Sequence, residues 1–275
     1  MTLSPPAKSF NWKDLGLRAL SAVILIPLVI AAIVFGGWLF TLLVAAGAVV
    51  MCLEWGRMSE PAASIRVGLA VAAGVVAPVF AAHLGDFSAA FVLLTFGALF
   101  AALFARVMGA VSLNAAYGVL YIGWPCVVLV WLRAQPDGHD WTVMLFAMAW
   151  SADIAAYAIG NLFKGPKLWP RFSPNKTWSG FLGGLAAGIV AGAIAESVSD
   201  VDIPTVYAVL LGLVVALATM AGDLWESALK RRFGVKDAGD IIPGHGGILD
   251  RVDGLMFAVI AMAASRLLLK FGGVL

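Results

Sequence analysis

Residues 205–229, from Thr205 to Leu229, read TVYAVLLGLVVALATMAGDLWESAL, and their first eighteen residues carry no charge. A helix needs about 20 mostly apolar residues to cross the hydrocarbon core of a bilayer. This run reaches that length, and Asp223 and Glu226 then arrive before it closes. An acid at the centre of a bilayer costs at least about 2.5 kcal/mol on insertion scales, so intramembrane acids line polar cavities and do work there. The stretch therefore predicts a membrane span that ends in chemistry.

The rest of the chain follows the same pattern. Of its 275 residues, 62% are hydrophobic and 12% charged. Soluble domains carry about 25% charged residues, so a soluble fold is excluded on composition. Further apolar runs lie at Arg18–Phe35, Trp38–Leu53, Val67–Leu84, Ala89–Ala105, Leu113–Leu132, Trp141–Leu162, Gly180–Ser197 and Val252–Leu269, which with Thr205–Leu229 predict about nine spans. They lack the period-2 alternation of barrel strands, so the fold class is all-α, a polytopic transmembrane helical bundle. Gly36-Gly37 predicts a tight helical hairpin between the first two spans. The first run exceeds the usual length of a signal-peptide core and reads as an uncleaved span. Residues 1–17 read as a cytoplasmic tail, 18–140 as N-terminal transmembrane helices, and 141–275 as a C-terminal transmembrane catalytic region. Cys52 and Cys126 sit in apolar runs without a partner motif and read as packing residues. Gly183, Gly184, Gly188 and Gly192 suit close helix packing within the bundle, with a dimer seam as their second use.

Charge orients the bundle. With the N-terminus cytoplasmic, inner segments hold fifteen of the eighteen basic residues, among them Arg57, Arg66, Arg106, Lys164, Lys167, Arg171, Lys176, Lys230, Arg231, Arg232, Lys236 and Arg251. The outer segments keep Arg133, Arg266 and Lys270, but also Asp86, Asp137, Asp140, Glu196, Asp200 and Asp202. Nine spans would put the C-terminus outside.

Two inner segments, Asp153–Gly180 and Asp223–Asp253, mix acids, bases, Gly and Pro, and predict one cytoplasm-facing polar cavity. Asp223, Glu226, Ser227 and Lys230 stand at i, i+3, i+4 and i+7, one face of a helix. Pro243, Gly244, Gly246 and Gly247 forbid a regular helix and allow backbone N–H groups to approach an anion. Carboxylates beside Lys and Arg suit Mg²⁺ and phosphate, since Mg²⁺ takes few carboxylates and shares substrate phosphates. Ser173-Pro-Asn-Lys-Thr177 precedes the seventh span, where Thr177 or Ser179 can cap a helix whose N-terminus favours an anion. Glu54, at the cytoplasmic end of the second span, reads equally well as a helix-end carboxylate or a cavity acid.

Ser227-Ala-Leu-Lys-Arg231, Lys236-Asp237 and Pro243-Gly-His-Gly-Gly-Ile-Leu-Asp-Arg-Val-Asp253 together resemble the signature of the phosphatidate cytidylyltransferases. Gly222-Asp223-Leu-Trp-Glu-Ser227 fits the segment leading into it, and Ser173-Pro-Asn-Lys-Thr-Trp178 resembles the family's second motif. The sequence departs from the pattern at Ile154, at Phe163-Lys-Gly165 and at Ser179. The resemblance implies a helical membrane bundle, commonly a homodimer, in the bacterial cytoplasmic membrane. It implies transfer of CMP from CTP to phosphatidic acid, giving CDP-diacylglycerol and pyrophosphate, with no nucleic acid involved.

The resemblance also implies Asp223 and Asp250 as ligands for Mg²⁺, with two cations expected and Glu226 and Asp253 as further candidates. The catalytic set it suggests is Asp223, Lys230, Arg231, Lys236, Asp250 and Arg251. Substrate contacts are expected from Asp153, Ser173, Asn175, Lys176, Thr177, Ser227, His245, Gly246 and Gly247. Asp153 and Asp253 either support a metal or orient a base-bearing side chain, and His245 either donates to pyrophosphate or bonds the glycine loop. A transporter is the rival from another class, but transporter sites lie at the midplane between repeats, and the polar motifs here gather at one face.

Overall fold

The computed structural model describes Val23, residues 26–239 and residues 246–275. The tail 1–17, Arg18, Pro243, Gly244 and His245 lie outside the described residues. Nine helices follow one another among the described residues: α1 (Ile26–Phe35), α2 (Gly37–Ser59), α3 (Ser64–His83), α4 (Phe87–Val107), α5 (Ser112–Ala134), α6 (Gly138–Phe163), α7 (Trp178–Val198), α8 (Thr205–Arg232) and α9 (Leu249–Phe271). Eight of them, α2 to α9, are long and apolar enough to span a bilayer. The protein is thus an all-α polytopic membrane protein, as its composition predicts.

The helices alternate in direction, and contacts at both ends tie them together. At one end Asn114 Nδ2, in the first turn of α5, donates to Glu60 Oε1 just beyond α2 at 2.9 Å. At the other, Thr41 of α2 meets His83 of α3 at 2.8 Å, and the Asp200 amide donates to Asp140 at 3.1 Å. Gly36 and Gly37 take left-handed φ values of 62° and 55°, which break the helix between α1 and α2. Arg133, at the end of α5, donates to the terminal carbonyls Ile33 O (3.0 Å) and Val34 O (3.3 Å) of α1.

α5 is the central post: two thirds of its apolar window (67%) is buried, against 22% for α4, which faces outward. One core cluster joins α2–α5 to Leu249 and Met256 of α9, and a second joins α5, α6, α8 and α9 through Trp141, Met144, Met148, Val215 and Met262. Cys52 and Cys126 are free and buried, as packing residues should be.

Among the described residues one hairpin is not helical. β1 (Lys167–Trp169) and β2 (Ser173–Thr177) form an antiparallel hairpin between α6 and α7. From the sequence the segment reads as an anion contact with Thr177 or Ser179 capping the next helix, and not as a strand pair. Thr177 does cap α7, its Oγ1 accepting from the Gly180 amide at 3.2 Å.

Candidate active site

A cavity of about 710 Å³ opens where α6, the hairpin, α7, α8 and α9 meet. Its polar wall carries Asp153 from α6, Ser173, Asn175, Lys176 and Thr177 from β2, Asp223 from α8, and Asp250, Arg251 and Asp253 from the start of α9. Tyr157, Leu168 and Phe181 make an apolar wall. The two polar segments of the sequence therefore do build one site. Asp153 and Asp223 lie roughly ten residues inside their helix ends, so the cavity reaches about 15 Å along the helices.

The charges are paired across elements. Lys176 of the hairpin bonds Asp223 of α8. Lys230 Nζ donates to Asp250 Oδ1 at 2.6 Å and stands 3.7 Å from Glu226 Oε1. Asp250 Oδ2 accepts the amides of Ala238 (2.9 Å) and Gly247 (3.3 Å), folding the segment before α9 onto its first turn. Glu226 is completely buried, and neither of its oxygens finds a hydrogen-bond donor.

The expected residues thus divide. Glu226 and Lys230 stand directly behind the cavity wall, through Asp250 and Asp253. Gly247 serves through its amide to Asp250. Ser227, Lys236 and Gly246 are not among the cavity-lining residues, and Arg231 is exposed and turned to the Val235 carbonyl at 3.1 Å. Asn161 and Phe181 line the cavity without having been singled out by any sequence pattern.

The donor set fits a hard cation. Five carboxylates (Asp153, Asp223, Glu226, Asp250, Asp253) face three cations (Lys176, Lys230, Arg251), a formal excess of two negative charges. Carboxylate oxygens are the donors that Mg²⁺ takes. Among the described residues, no group of three or more His, Cys, Asp or Glu side chains is placed to hold a metal alone.

Glu54, in α2, is the residue whose role the sequence left open. It is fully buried, and its Oε1 and Oε2 accept the amides of Ile248 (3.0 Å) and Leu249 (2.8 Å) at the start of α9. The sequence could not show this, because the partners are 194 and 195 positions apart.

A helical bundle that buries this many carboxylates and lysines at one end defines a membrane protein with a built ionic site. Residues 16–269 match the cytidylyltransferase family, and the chain belongs to it. It is similar to the phosphatidate cytidylyltransferase of Brucella suis, 47% identical over 161 residues that make up 58% of this chain and 57% of that protein. The protein of the same name from Bacillus subtilis is 40% identical over 143 residues (52% of this chain, 46% of that protein). That of Rickettsia felis is 38% identical over 146 residues (50% and 64%). The matched stretch spans about half the length of these relatives.

Proposed function

We propose that the chain transfers CMP from CTP to phosphatidic acid, forming CDP-diacylglycerol and pyrophosphate. The observation that carries this reading is the cavity itself. Carboxylates and cations suited to a metal-bound triphosphate line it together with Tyr157, Leu168 and Phe181, which suit the glycerol and acyl part of a lipid. The family and the named relatives agree with it.

In the reaction a phosphatidate phosphate oxygen forms a bond to the α-phosphorus of CTP. The bond from that phosphorus to the oxygen of the β-phosphate breaks, and pyrophosphate leaves with the electron pair. The attacking phosphate is already an anion near neutral pH, so a strong general base is not required and no covalent enzyme intermediate is expected. Positioning and charge stabilisation supply most of the rate. Lys176 and Ser173 hold the lipid phosphate from the hairpin, and Arg251 takes triphosphate oxygens from α9. Asp223 and Asp250 are the carboxylates we assign to Mg²⁺, with Asp153 and Asp253 in support. When bound, Mg²⁺ neutralises phosphate charge and orients the triphosphate for in-line displacement. The cavity end faces the cytoplasm, where CTP is found, and the protein works as a homodimer in a bacterial cytoplasmic membrane.

The test is pyrophosphate release by protein purified in detergent, with CTP, phosphatidate and Mg²⁺, beside Asp223→Asn. The Asp223 side chain is 35% exposed, so the variant should fold. Release that needs all three components and falls by about 100-fold or more in the variant is expected. A folded wild type that releases nothing with any nucleotide or lipid acceptor overturns the proposal.

A further inference from the structure

Among the described residues, those that line the cavity all fall between Asp153 and Asp253, and α1 to α5 contribute none of them. α5 touches α8 where the Trp225 indole N–H donates to Tyr117 Oη at 2.7 Å, and two neighbouring residues of α2 hold the two ends of the connection from α8 to α9. Trp55 is fully buried and packs edge-on against Phe233, just past α8, with ring centroids 5.6 Å apart at 87°. Its indole N–H donates to the Asn114 carbonyl at 3.0 Å, and a side chain at Gly118 would collide with its ring. Glu54 grips the other end of the same segment, at Ile248 and Leu249. Glu54 and Trp55 thus bracket the chain between α8 and α9 from both sides.

The need for Glu54 follows from helix chemistry. The first amides of any helix lack intrahelical partners. Ile248, at the N-cap position of α9, supplies no capping side chain. Glu54 caps α9 from another helix with a carboxylate, whose charge also favours a helix N-terminus. Asp250 is the next residue after Leu249, and Arg251 and Asp253 share the same turn. A Cβ at Gly239 would lie 2.8 Å from Glu54 Cγ, and one at Gly247 would lie 3.0 Å from both Glu54 Oε2 and Asp250 Oδ2. The glycines are therefore shaped around this carboxylate. We infer that Glu54 is a positioning residue: it fixes the first turn of α9, and through it the placement of Asp250 and Arg251 in the cavity. The inference rests on the proposed transferase reaction for its kinetic consequence, but not for its structural one.

Glu54→Ala and the equal-sized Glu54→Gln separate the possibilities. Gln keeps one acceptor but sets its NH₂ group against the second amide. Hydrogen exchange in the full-length protein should speed up at Ile248 and Leu249 by about 10-fold or more in Glu54→Ala and by less in Glu54→Gln, while residues 255–268 stay protected. The Mg²⁺ and CTP concentrations giving half-maximal pyrophosphate release should both rise by about 5-fold or more in Glu54→Ala, with partial rescue in Glu54→Gln. A fraction of dead protein lowers the rate but moves neither half-saturation value. If Glu54→Ala does not fold, Glu54→Gln carries both tests. Unchanged exchange at Ile248 and Leu249, or unchanged half-saturation values in a folded variant, overturns the inference. A wild type without turnover would overturn the transferase reading instead, and the exchange result would still decide the role of Glu54 as a cap.

Discussion

Lys230 stands between two carboxylates, Asp250 in the cavity wall and Glu226 behind it. Its side chain is 14% exposed, against 10% for Asp250 and 0% for Glu226. Removing one partner of a buried ionic group leaves an uncompensated charge and costs about 3 kcal/mol or more. Lys230→Met should therefore lower the melting temperature in detergent, and Asp250→Asn added to it should restore part of the loss by removing the carboxylate charge that Lys230 meets at 2.6 Å. Cys52 and Cys126 are free and buried, so a thiol-reactive fluorogenic dye reads the transition directly. A double variant no more stable than Lys230→Met would show that Asp250 does not depend on that lysine. At this scale the sequence was half legible. Helical spacing correctly placed Asp223, Glu226 and Lys230 on one side of α8, but it resolves a face and not a depth. Asp223 lines the cavity, Glu226 and Lys230 lie behind it, and Ser227 does neither. Arg231 and Lys236 belong to the same charged run, yet both are exposed. Glu54 needed the structure, since nothing local to α2 signals a cap for a helix nearly two hundred residues away.

At the scale of elements, the spans were legible because apolar length alone decides them. α2 to α9 each overlap a predicted run, extended by a few residues at the ends where polar residues continue the helix. The extension matters at α9, which begins at Leu249 and so places Asp250 inside a helical first turn. The hairpin was not legible: Ser173-Pro-Asn-Lys-Thr177 has neither β-branched alternation nor a turn dipeptide. Two departures from the family pattern meet there, since Ser179 Oγ donates to the carbonyl of Lys164, whose φ is 54°. The third, Ile154, is 69% exposed and stands away from the cavity. The glycines of α7 serve packing. A Cβ at Gly212 of α8 would stand 2.9 Å from the Gly188 carbonyl carbon and 3.0 Å from Ile189 Cα. Small residues allow membrane helices to approach this closely. Gly212→Leu should force α7 and α8 apart and cost about 3 kcal/mol or more, whereas Gly47→Leu, with nothing within 4 Å of its Cβ, should leave the melting temperature nearly unchanged. Equal melting of the two variants would refute the packing argument.

For the whole molecule, charge and structure together argue one orientation. The cavity end gathers Arg57, Arg66, Arg106, Lys164, Lys167, Arg171, Arg232 and Lys236, while the opposite end gathers Asp86, Asp137, Asp140, Asp200 and Asp202. Three basic residues sit on the acidic end, and the structure accounts for two. Arg133 is spent on the last carbonyls of α1. Arg266 is 6% exposed, donates to the Pro136 carbonyl at 3.1 Å, and lies against the rings of Trp131 and Trp141 at 6.0 and 5.4 Å. Both are structural cations, so the charge bias that retains basic ends in the cytoplasm is stronger than the sequence count suggests. The cavity end should then face the cytoplasm. Asp202→Cys and Asp237→Cys, both at exposed positions on opposite ends, test this in a chain whose own cysteines are buried. A membrane-impermeant maleimide should label the Asp202→Cys variant in intact spheroplasts and the Asp237→Cys variant only in inverted vesicles. The reverse labelling would place the cavity on the outer face, away from cytoplasmic CTP, and the proposed reaction could not run in the cell.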